Sequence, residues 1–143
     1  MKKFLPKSFN NPRGFTLVEL MVVVVIISVI AGIAIPQYLQ TMDMSRARDA
    51  RITLKLVRHN EQIYRSEKGG YLPIAENALD NYWEDLKLEN PNVLYVNSGF
   101  KFSVEGTTSA FTGKARRTKD NAAYTINEAG QITATGNLPQ DNF

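Results

Sequence analysis

Apolar residues are concentrated in one uninterrupted segment near the start of the chain. Residues 20 to 35 read LMVVVVIISVIAGIAI, in which Ser28 is the one polar side chain. No charged residue occurs between Glu19 and Asp43. As a helix, residues 20–42 span roughly 34 Å, about the thickness of a bilayer core. Because a buried core helix rarely lacks a polar face for so long, this segment is predicted to lie in a membrane, in a protein assembly, or in each in turn.

After residue 42 the chain becomes polar but keeps a helical pattern, with neither Gly nor Pro from residue 43 to residue 66. Two apolar stripes lie nearly opposite each other on the helical wheel. The first comprises Ala47, Ala50, Leu54, Val57 and Tyr64, and the second comprises Ile52, Leu56 and Ile63. One stripe suffices for packing on a domain, so a second stripe suggests that the helix also meets something else. The alternative is a helix wrapped by its own domain.

The chain beyond the helix predicts a connection followed by strands. Gly69-Gly70 ends the helix, and residues 71–92 form the connection, with one short helix at 78–86 and a turn at Asn90-Pro91-Asn92. Strands are predicted around Phe100 to Val104, at 110–118, at 123–126 and at 131–133, the last two joined by a hairpin turn with Gly130. The predicted fold is therefore α+β: one helix over residues 15 to about 66, roughly 75–80 Å long if unbroken, packed on a small antiparallel sheet.

The formal charge of +3 describes the start of the chain rather than the remainder. Four basic residues and no acidic ones lie in the first fourteen positions: Lys2, Lys3, Lys7 and Arg13. Without them, 13 basic and 14 acidic side chains remain, so charge gives no case for nucleic-acid binding. The absence of cysteine excludes disulfides, thiolate metal sites and a cysteine nucleophile.

The run Arg13-Gly14-Phe15-Thr16-Leu17-Val18-Glu19 is the most informative motif. A basic start, an apolar stretch and the run AGIA at residues 31–34, which mimics a small-residue cleavage site, also fit an ordinary secretory signal. A carboxylate at Glu19 weakens such a signal. A plain transmembrane anchor accounts for the basic N-terminus as cytoplasmic. It explains neither Glu19 nor the Gly-Phe pair, and an ionisable group at a membrane segment is costly enough to need a partner.

Residues 14–20, GFTLVEL, resemble the cleavage and methylation motif of type IV prepilins and of the pseudopilins of type II secretion systems. The resemblance implies cleavage after Gly14 by a prepilin peptidase and N-methylation of the new N-terminal Phe15. Glu19 becomes the fifth mature residue, where the family has its glutamate, and its carboxylate receives the amine of a neighbouring subunit. Pro36 lies where these helices commonly have a proline and, with Gly32, weakens one helical turn. The resemblance favours a helix that opens between about residues 28 and 36 in a filament, and the alternative is a mild kink of the kind common in membrane helices.

The resemblance also implies an organisation, partners and a location. The expected parts are a leader at 1–14, a transmembrane and assembly segment at 15–42 and a pilin headgroup at 43–143. Expected partners are identical or related subunits in a helical polymer, the peptidase and N-methyltransferase, inner-membrane lipid and the pilus assembly platform, with no specific nucleic acid. The chain is expected in the bacterial inner membrane with a cytoplasmic N-terminus, and then in an extracellular pilus fibre or a periplasmic pseudopilus.

A pilus subunit is favoured over a pseudopilin on two departures from the family patterns. The chain lacks the cysteines of disulfide-bearing pilins, and its tail from Leu138 to Phe143 has one carboxylate side chain, too few for the calcium loop of major pseudopilins. The alternatives are a pseudopilin in a periplasmic piston and a domain merely tethered to the membrane. No enzyme activity and no cofactor are predicted.

Three other groups of residues resemble chemical sites only superficially. His59, the one histidine, has no triad or metal-ligand spacing around it, so a solvated or interface role is expected. The acidic residues Glu84, Asp85 and Glu89 are not predicted to bind calcium. The basic residues Lys114, Arg116, Arg117 and Lys119 are expected on a solvated strand face.

Overall fold

The computed structural model describes residues 14–139. Most of the predicted leader and the end of the tail, including Asp141, lie outside the described residues. Three helices and four strands follow in chain order: α1 Leu17–Lys68, α2 Asp80–Asp85, α3 Pro91–Leu94, β1 Phe100–Gly106, β2 Phe111–Arg117, β3 Ala123–Asn127 and β4 Ile132–Thr135. The predicted α+β class is therefore confirmed.

The predicted long helix is confirmed as α1, which has 52 residues and contains Pro36 within it. The chain separates into two compact units, one ending at Leu39 and the other beginning at Gln40. Gly69 follows the helix with φ of 82° and donates its N–H to the Arg65 carbonyl at 2.8 Å. Because residues with a side chain rarely adopt positive φ, this glycine ends α1 where the sequence predicts.

In the unit from residue 40 onward, the second half of α1 buries its first apolar stripe. Ala47, Ala50, Leu54 and Val57 are each at most 2% exposed, and Tyr64 packs against the same core while partly exposed. Leu54 lies over β2 at Gly113, where a Cβ atom would come within 2.9 Å of Ile126. The glycine thus permits close packing at this position.

The sheet is an antiparallel meander in the order β1-β2-β3-β4. The register places Phe102 opposite Ala115, Ala115 opposite Tyr124, and Tyr124 opposite Ala134. Along β1, burial alternates between buried and partly exposed residues over its first five positions. Because successive side chains of a strand point to opposite faces, one face of the sheet supplies the core.

The connection between α1 and β1 is more ordered than the sequence predicts. Ile74 forms a two-way backbone bridge with Val104, with N···O distances of 2.8 and 2.7 Å. The expected short helix at 78–86 is present as the shorter α2.

The expected turn at residues 90–92 is wrong, because the chain begins helix α3 there. The Asn90 side chain accepts from the Asn92 N–H, and Pro91 occupies the first helical turn. Asn is a favourable N-cap residue. Proline is tolerated in the first helical turn because the N–H groups there have no carbonyl partner within the helix. Asn92 is 6% exposed, and its side-chain amide accepts from Phe102 N–H and donates to the Phe102 and Glu76 carbonyls. Asn92 therefore makes the hydrogen bonds to the Phe102 backbone, at the edge of the sheet, that a neighbouring strand would otherwise make.

The basic residues on β2 are paired rather than simply solvated. Arg116 forms a two-point ion pair with Glu76 in the connection, and Arg117 pairs with Asp120. The expectation of a solvated face is thus corrected for these two arginines. A guanidinium binds a carboxylate through two parallel hydrogen bonds, which here ties the connection to the sheet across 40 residues of sequence.

Glu61 is a fully buried carboxyl group in the core face of α1, at 0% exposure. One oxygen accepts the Leu72 N–H at 3.0 Å, while Oε1 has no partner among the described residues. Burial raises the pKa of Glu61 to about 7 from an ordinary 4.5. The folded state thus binds the Glu61 proton more tightly than the unfolded chain does. Protonation of Glu61 therefore stabilises the fold fully below pH 4.5, and this contribution is lost as the pH rises through about 7.

Glu61→Gln is expected to remove that loss, which amounts to about 3 kcal/mol of unfolding free energy between pH 4.5 and 7. The amide keeps an acceptor for Leu72 N–H but carries no charge. Denaturant unfolding of the detergent-solubilised chain reports on this region through the fluorescence of Trp83, the single tryptophan, which is 0% exposed. Glu67→Gln, at an exposed position, is the matched control and should keep the pH dependence. Identical pH profiles for Glu61→Gln and the unaltered chain would contradict the assignment.

Candidate functional site

The predicted cleavage point lies in an open stretch just before α1. Gly14 and Phe15 precede the helix, and the Phe15 side chain is 86% exposed. A Cβ atom placed on Gly14 meets no other heavy atom within 4 Å. Among the described residues, nothing therefore shields this peptide bond from an enzyme. Cleavage after Gly14 and methylation of Phe15 stay predictions.

Thr16 and Glu19 form a reciprocal cap at the start of α1. The Thr16 N–H and hydroxyl both donate to Glu19 Oε2, at 2.9 and 2.8 Å, and the Glu19 N–H donates to the Thr16 hydroxyl at 3.2 Å. This is a capping box, which satisfies N–H groups that have no partner inside the helix. A carboxylate in the first turn is also favoured by the helix dipole. Glu19, which is predicted to receive the amine of a neighbouring subunit, thus also caps the start of its own helix.

The capping box was missed in the sequence, although its signal was present. Thr-x-x-Glu before an apolar run is the pattern of such a helix start, and residues 16–19 read TLVE. One carboxylate oxygen of Glu19 stays available as an acceptor. Both Thr16 donors bond Oε2, and Oε1 makes no hydrogen bond within residues 14–139. Capping and pairing with another subunit are therefore compatible.

The apolar segment of α1 is uncovered in the single chain. Its large side chains are about half to three-quarters exposed, for example Leu17 at 73% and Ile33 at 63%. Among the described residues, α1 is the one helix long and apolar enough to cross a membrane. Ser28 donates its hydroxyl to the Val24 carbonyl at 2.7 Å, so the polar atom within the apolar run is satisfied locally.

Gly32 and Pro36 lie inside an uninterrupted part of α1. Pro36 has no N–H to donate toward the Gly32 carbonyl, and the space beside Gly32 is open, with no heavy atom within 4 Å of an added Cβ. In the single chain the helix continues through both residues. The opening of this turn in a filament stays a prediction.

The remaining candidate residues do not converge on a chemical centre. His59 is exposed on α1, and Glu84, Asp85 and Glu89 are exposed around α2. Within residues 14–139, no three His, Cys, Asp or Glu side chains are grouped in a way that could hold a metal ion. The candidate site is therefore the start of α1 together with its exposed apolar surface.

Sequence comparison agrees with this location. Residues 9–35 match the family model described as the prokaryotic N-terminal methylation motif, which contains Gly14, Phe15, Glu19 and Gly32. No solved structure matches the chain significantly.

Three curated relatives extend the comparison beyond the motif. The type IV major pilin protein PilA of Myxococcus xanthus is 42% identical over 67 residues, 46% of this chain and 30% of that protein. The competence protein ComGC of Halalkalibacterium halodurans is 29% identical over 66% of this chain and 94% of its own length. The type II secretion system core protein G of Escherichia coli is 30% identical over 71% of this chain and 55% of its own length.

The chain thus spans less than two thirds of the Myxococcus and Escherichia proteins. The motif match, these relatives and an α+β fold with a capped, apolar first helix agree with one another. The chain thus carries the N-terminal methylation motif and is similar to type IV pilins and to type II secretion pseudopilins.

Proposed function

We propose that this protein is a structural, non-enzymatic subunit of a type IV pilus that polymerises through the first half of α1. The observation that carries the proposal is the uncovered apolar surface of residues 17–39 behind a capped helix start. A contiguous apolar surface of this size requires a bilayer or other protein copies around it. Burial there contributes roughly 25 cal/mol per Å², so the same surface serves as membrane anchor and as assembly surface.

The subunit is first held in the inner membrane with its basic N-terminus in the cytoplasm, as the charge asymmetry favours. The peptidase cuts after Gly14, and the new amine at Phe15 is methylated. That amine then binds the Glu19 carboxylate of a neighbouring copy. In an apolar surrounding each charge is costly alone, so the pair sets the axial position of the subunit more than it adds net stability.

A role as a pseudopilin of a type II secretion system is the second candidate. Its support is the match to the Escherichia secretion protein, which is 30% identical over 71% of this chain. Both candidates need the same processing and the same assembly surface. They differ in the final location of the polymer, which is a surface fibre for a pilus subunit and the periplasm for a pseudopilin.

N-terminal sequencing of the membrane-extracted protein tests the proposal. N-methylated Phe15 is expected. Met1 would indicate a plain anchor, and Ile35 would indicate ordinary secretion, and either result overturns the proposal. Electron microscopy of sheared fibres, with fractionation of the periplasm, then separates the two candidates, because a pilus subunit appears in surface fibres and a pseudopilin does not.

A further inference from the structure

A short segment, residues 70–73, crosses from the end of α1 to the edge of β1, and we call it the strap. Gly69 precedes the strap with φ of 82°, a backbone conformation that a residue with a side chain rarely adopts. Beyond the strap, Ile74 is held to Val104 by the two-way backbone bridge. The strap therefore lies between a glycine that can serve as a hinge and a residue fixed to the sheet.

Between these two ends the strap is fastened at two successive residues. Tyr71 donates its N–H to the Thr107 carbonyl at 3.0 Å, and its ring centroid lies 5.1 Å from that of Phe111. Leu72 donates its N–H to Oε2 of Glu61 at 3.0 Å. The middle of the strap is therefore tied to the buried face of α1 through a carboxyl group.

The tie suits a neutral carboxyl group and not a carboxylate. Glu61 is fully buried, and its Oε1 has no partner among the described residues. A buried carboxylate needs several donors or a cation to replace its lost hydration. Burial raises the pKa of Glu61 to about 7, and the Leu72 N–H lowers it by less. Ionisation of Glu61 thus places a poorly solvated charge beneath the strap.

The other charged and titratable groups of α1 near Glu61 are engaged elsewhere or exposed. Arg58 and Arg65 flank Glu61 by about one helical turn. Arg58 donates to the Glu128 carbonyl and Arg65 donates to the Tyr71 hydroxyl, each at 3.0 Å. Two further titratable side chains within one turn are at least partly exposed: His59 and Tyr64.

The elements packed against α1 bring their charged groups to other partners. Arg116 of β2 is paired with Glu76, and Lys87 after α2 is paired with Glu67. On the core face of the sheet, the Tyr124 hydroxyl donates to the Pro139 carbonyl. The acidic side chains of α2 are exposed: Asp80, Glu84 and Asp85. In the part of the chain that the structure describes, burial and the Leu72 N–H accordingly set the pKa of Glu61, without a contribution from a cation.

We propose that the strap is a proton-controlled device, which stays closed on α1 while Glu61 is protonated and opens between Gly69 and Ile74 when Glu61 ionises. Water that enters beneath the open strap hydrates the carboxylate and replaces the Leu72 N–H. In the closed form the pKa of Glu61 is raised from 4.5 to about 7. Closure is therefore favoured fully below pH 4.5, and the preference is lost as the pH rises through about 7. The device does not depend on polymerisation.

Amide hydrogen exchange of the full chain in detergent, followed by NMR, tests the proposal. The protection factor of the Leu72 backbone N–H, corrected for the intrinsic base-catalysed rate, is expected to fall about 40-fold between about pH 5 and pH 7, and to level off above about pH 8. In Glu61→Gln this fall is expected to be absent, because the side-chain amide does not ionise. Glu67→Gln, at an exposed position of the same helix, is the matched control and should keep the fall.

Low concentrations of urea distinguish opening of the strap from unfolding of the whole unit. Below the unfolding transition, urea should accelerate exchange at Ile74 and Val104 but not at Leu72, because a local opening exposes little surface. Leu72 should also be less protected than these two residues at every pH. Equal protection with equal urea dependence at all three positions overturns the proposal, as does a fall that persists in Glu61→Gln.

If Glu61→Gln does not fold, the unaltered chain decides by itself. The ¹³C shift of the Glu61 carboxyl group should titrate near pH 7, and the exchange profile of Leu72 should level off at the same pH. A carboxyl group that titrates near its ordinary value of 4.5, or a Leu72 protection factor that does not change with pH, overturns the proposal. Neither result bears on cleavage after Gly14 or on fibre formation.

Discussion

Gly14→Val leaves the precursor uncut, and the membrane contains only the full-length chain of 16.1 kDa. Gly14→Ser is expected to have the same effect. The residue before the cleaved bond must enter a tight peptidase pocket, and glycine is the residue with no side chain to exclude. Intact-mass analysis of extracted membranes measures the ratio of precursor to processed chain, which should change from mostly processed to essentially all precursor.

The structure makes this test specific to the peptidase. A Cβ at Gly14 meets no heavy atom within 4 Å, and the same is true of Gly32 within α1. Gly32→Ala therefore adds the same methyl group in equally open space and serves as the control that is still cut. A Gly14→Val chain that is processed normally would remove Gly14 from the cleavage site.

Glu19→Gln abolishes most of the fibre yield while the processed subunit stays in the membrane at its normal level. The amide keeps the size of the side chain and one acceptor oxygen for Thr16, but it cannot neutralise the ammonium of an incoming subunit. An unpaired charge in an apolar assembly costs several kcal/mol before relaxation, so a loss of at least about tenfold is expected. Glu19→Ala, which also loses the cap, should be at least as severe.

Thr16→Val separates capping from pairing between subunits. It removes the hydroxyl that bonds Glu19 but keeps the carboxylate, and losing an N-cap costs about 1 kcal/mol. If Glu19 receives a neighbour's amine, Thr16→Val fibres form at near-normal yield while those of Glu19→Gln do not. If Glu19 only caps its own helix, Thr16→Val is the more damaging change. Fibre yield from sheared cells, measured beside the membrane pool of processed subunit, gives the answer.

Local sequence was sufficient for the elements and for the location of the site. The charge-free run from residue 20, the glycine at 69 and the alternation around Phe102 each involve neighbours in sequence, and α1 and β1 follow them. The hairpin after β3 was predictable in the same way, because Gly130 has the positive φ, 86°, that its turn requires. Exposure of the second apolar stripe, formed by Ile52, Leu56 and Ile63, also followed from periodicity, since residues opposite a packed face of a helix point away from the core.

Tertiary structure alone decided the roles of several polar residues. Glu61 falls on the packed face of α1 by its helical position, yet only the approach of Leu72 gives its carboxylate a donor. Asn92 serves the edge of β1, and Arg116 pairs with Glu76 across 40 residues. These contacts join segments whose separation in sequence carries no periodic signal, so they depend on how the connection folds over the sheet. Sequence thus determined which segments are helix, strand and apolar surface, while packing determined which polar groups meet, because a hydrogen bond requires a definite distance and direction between its two partners.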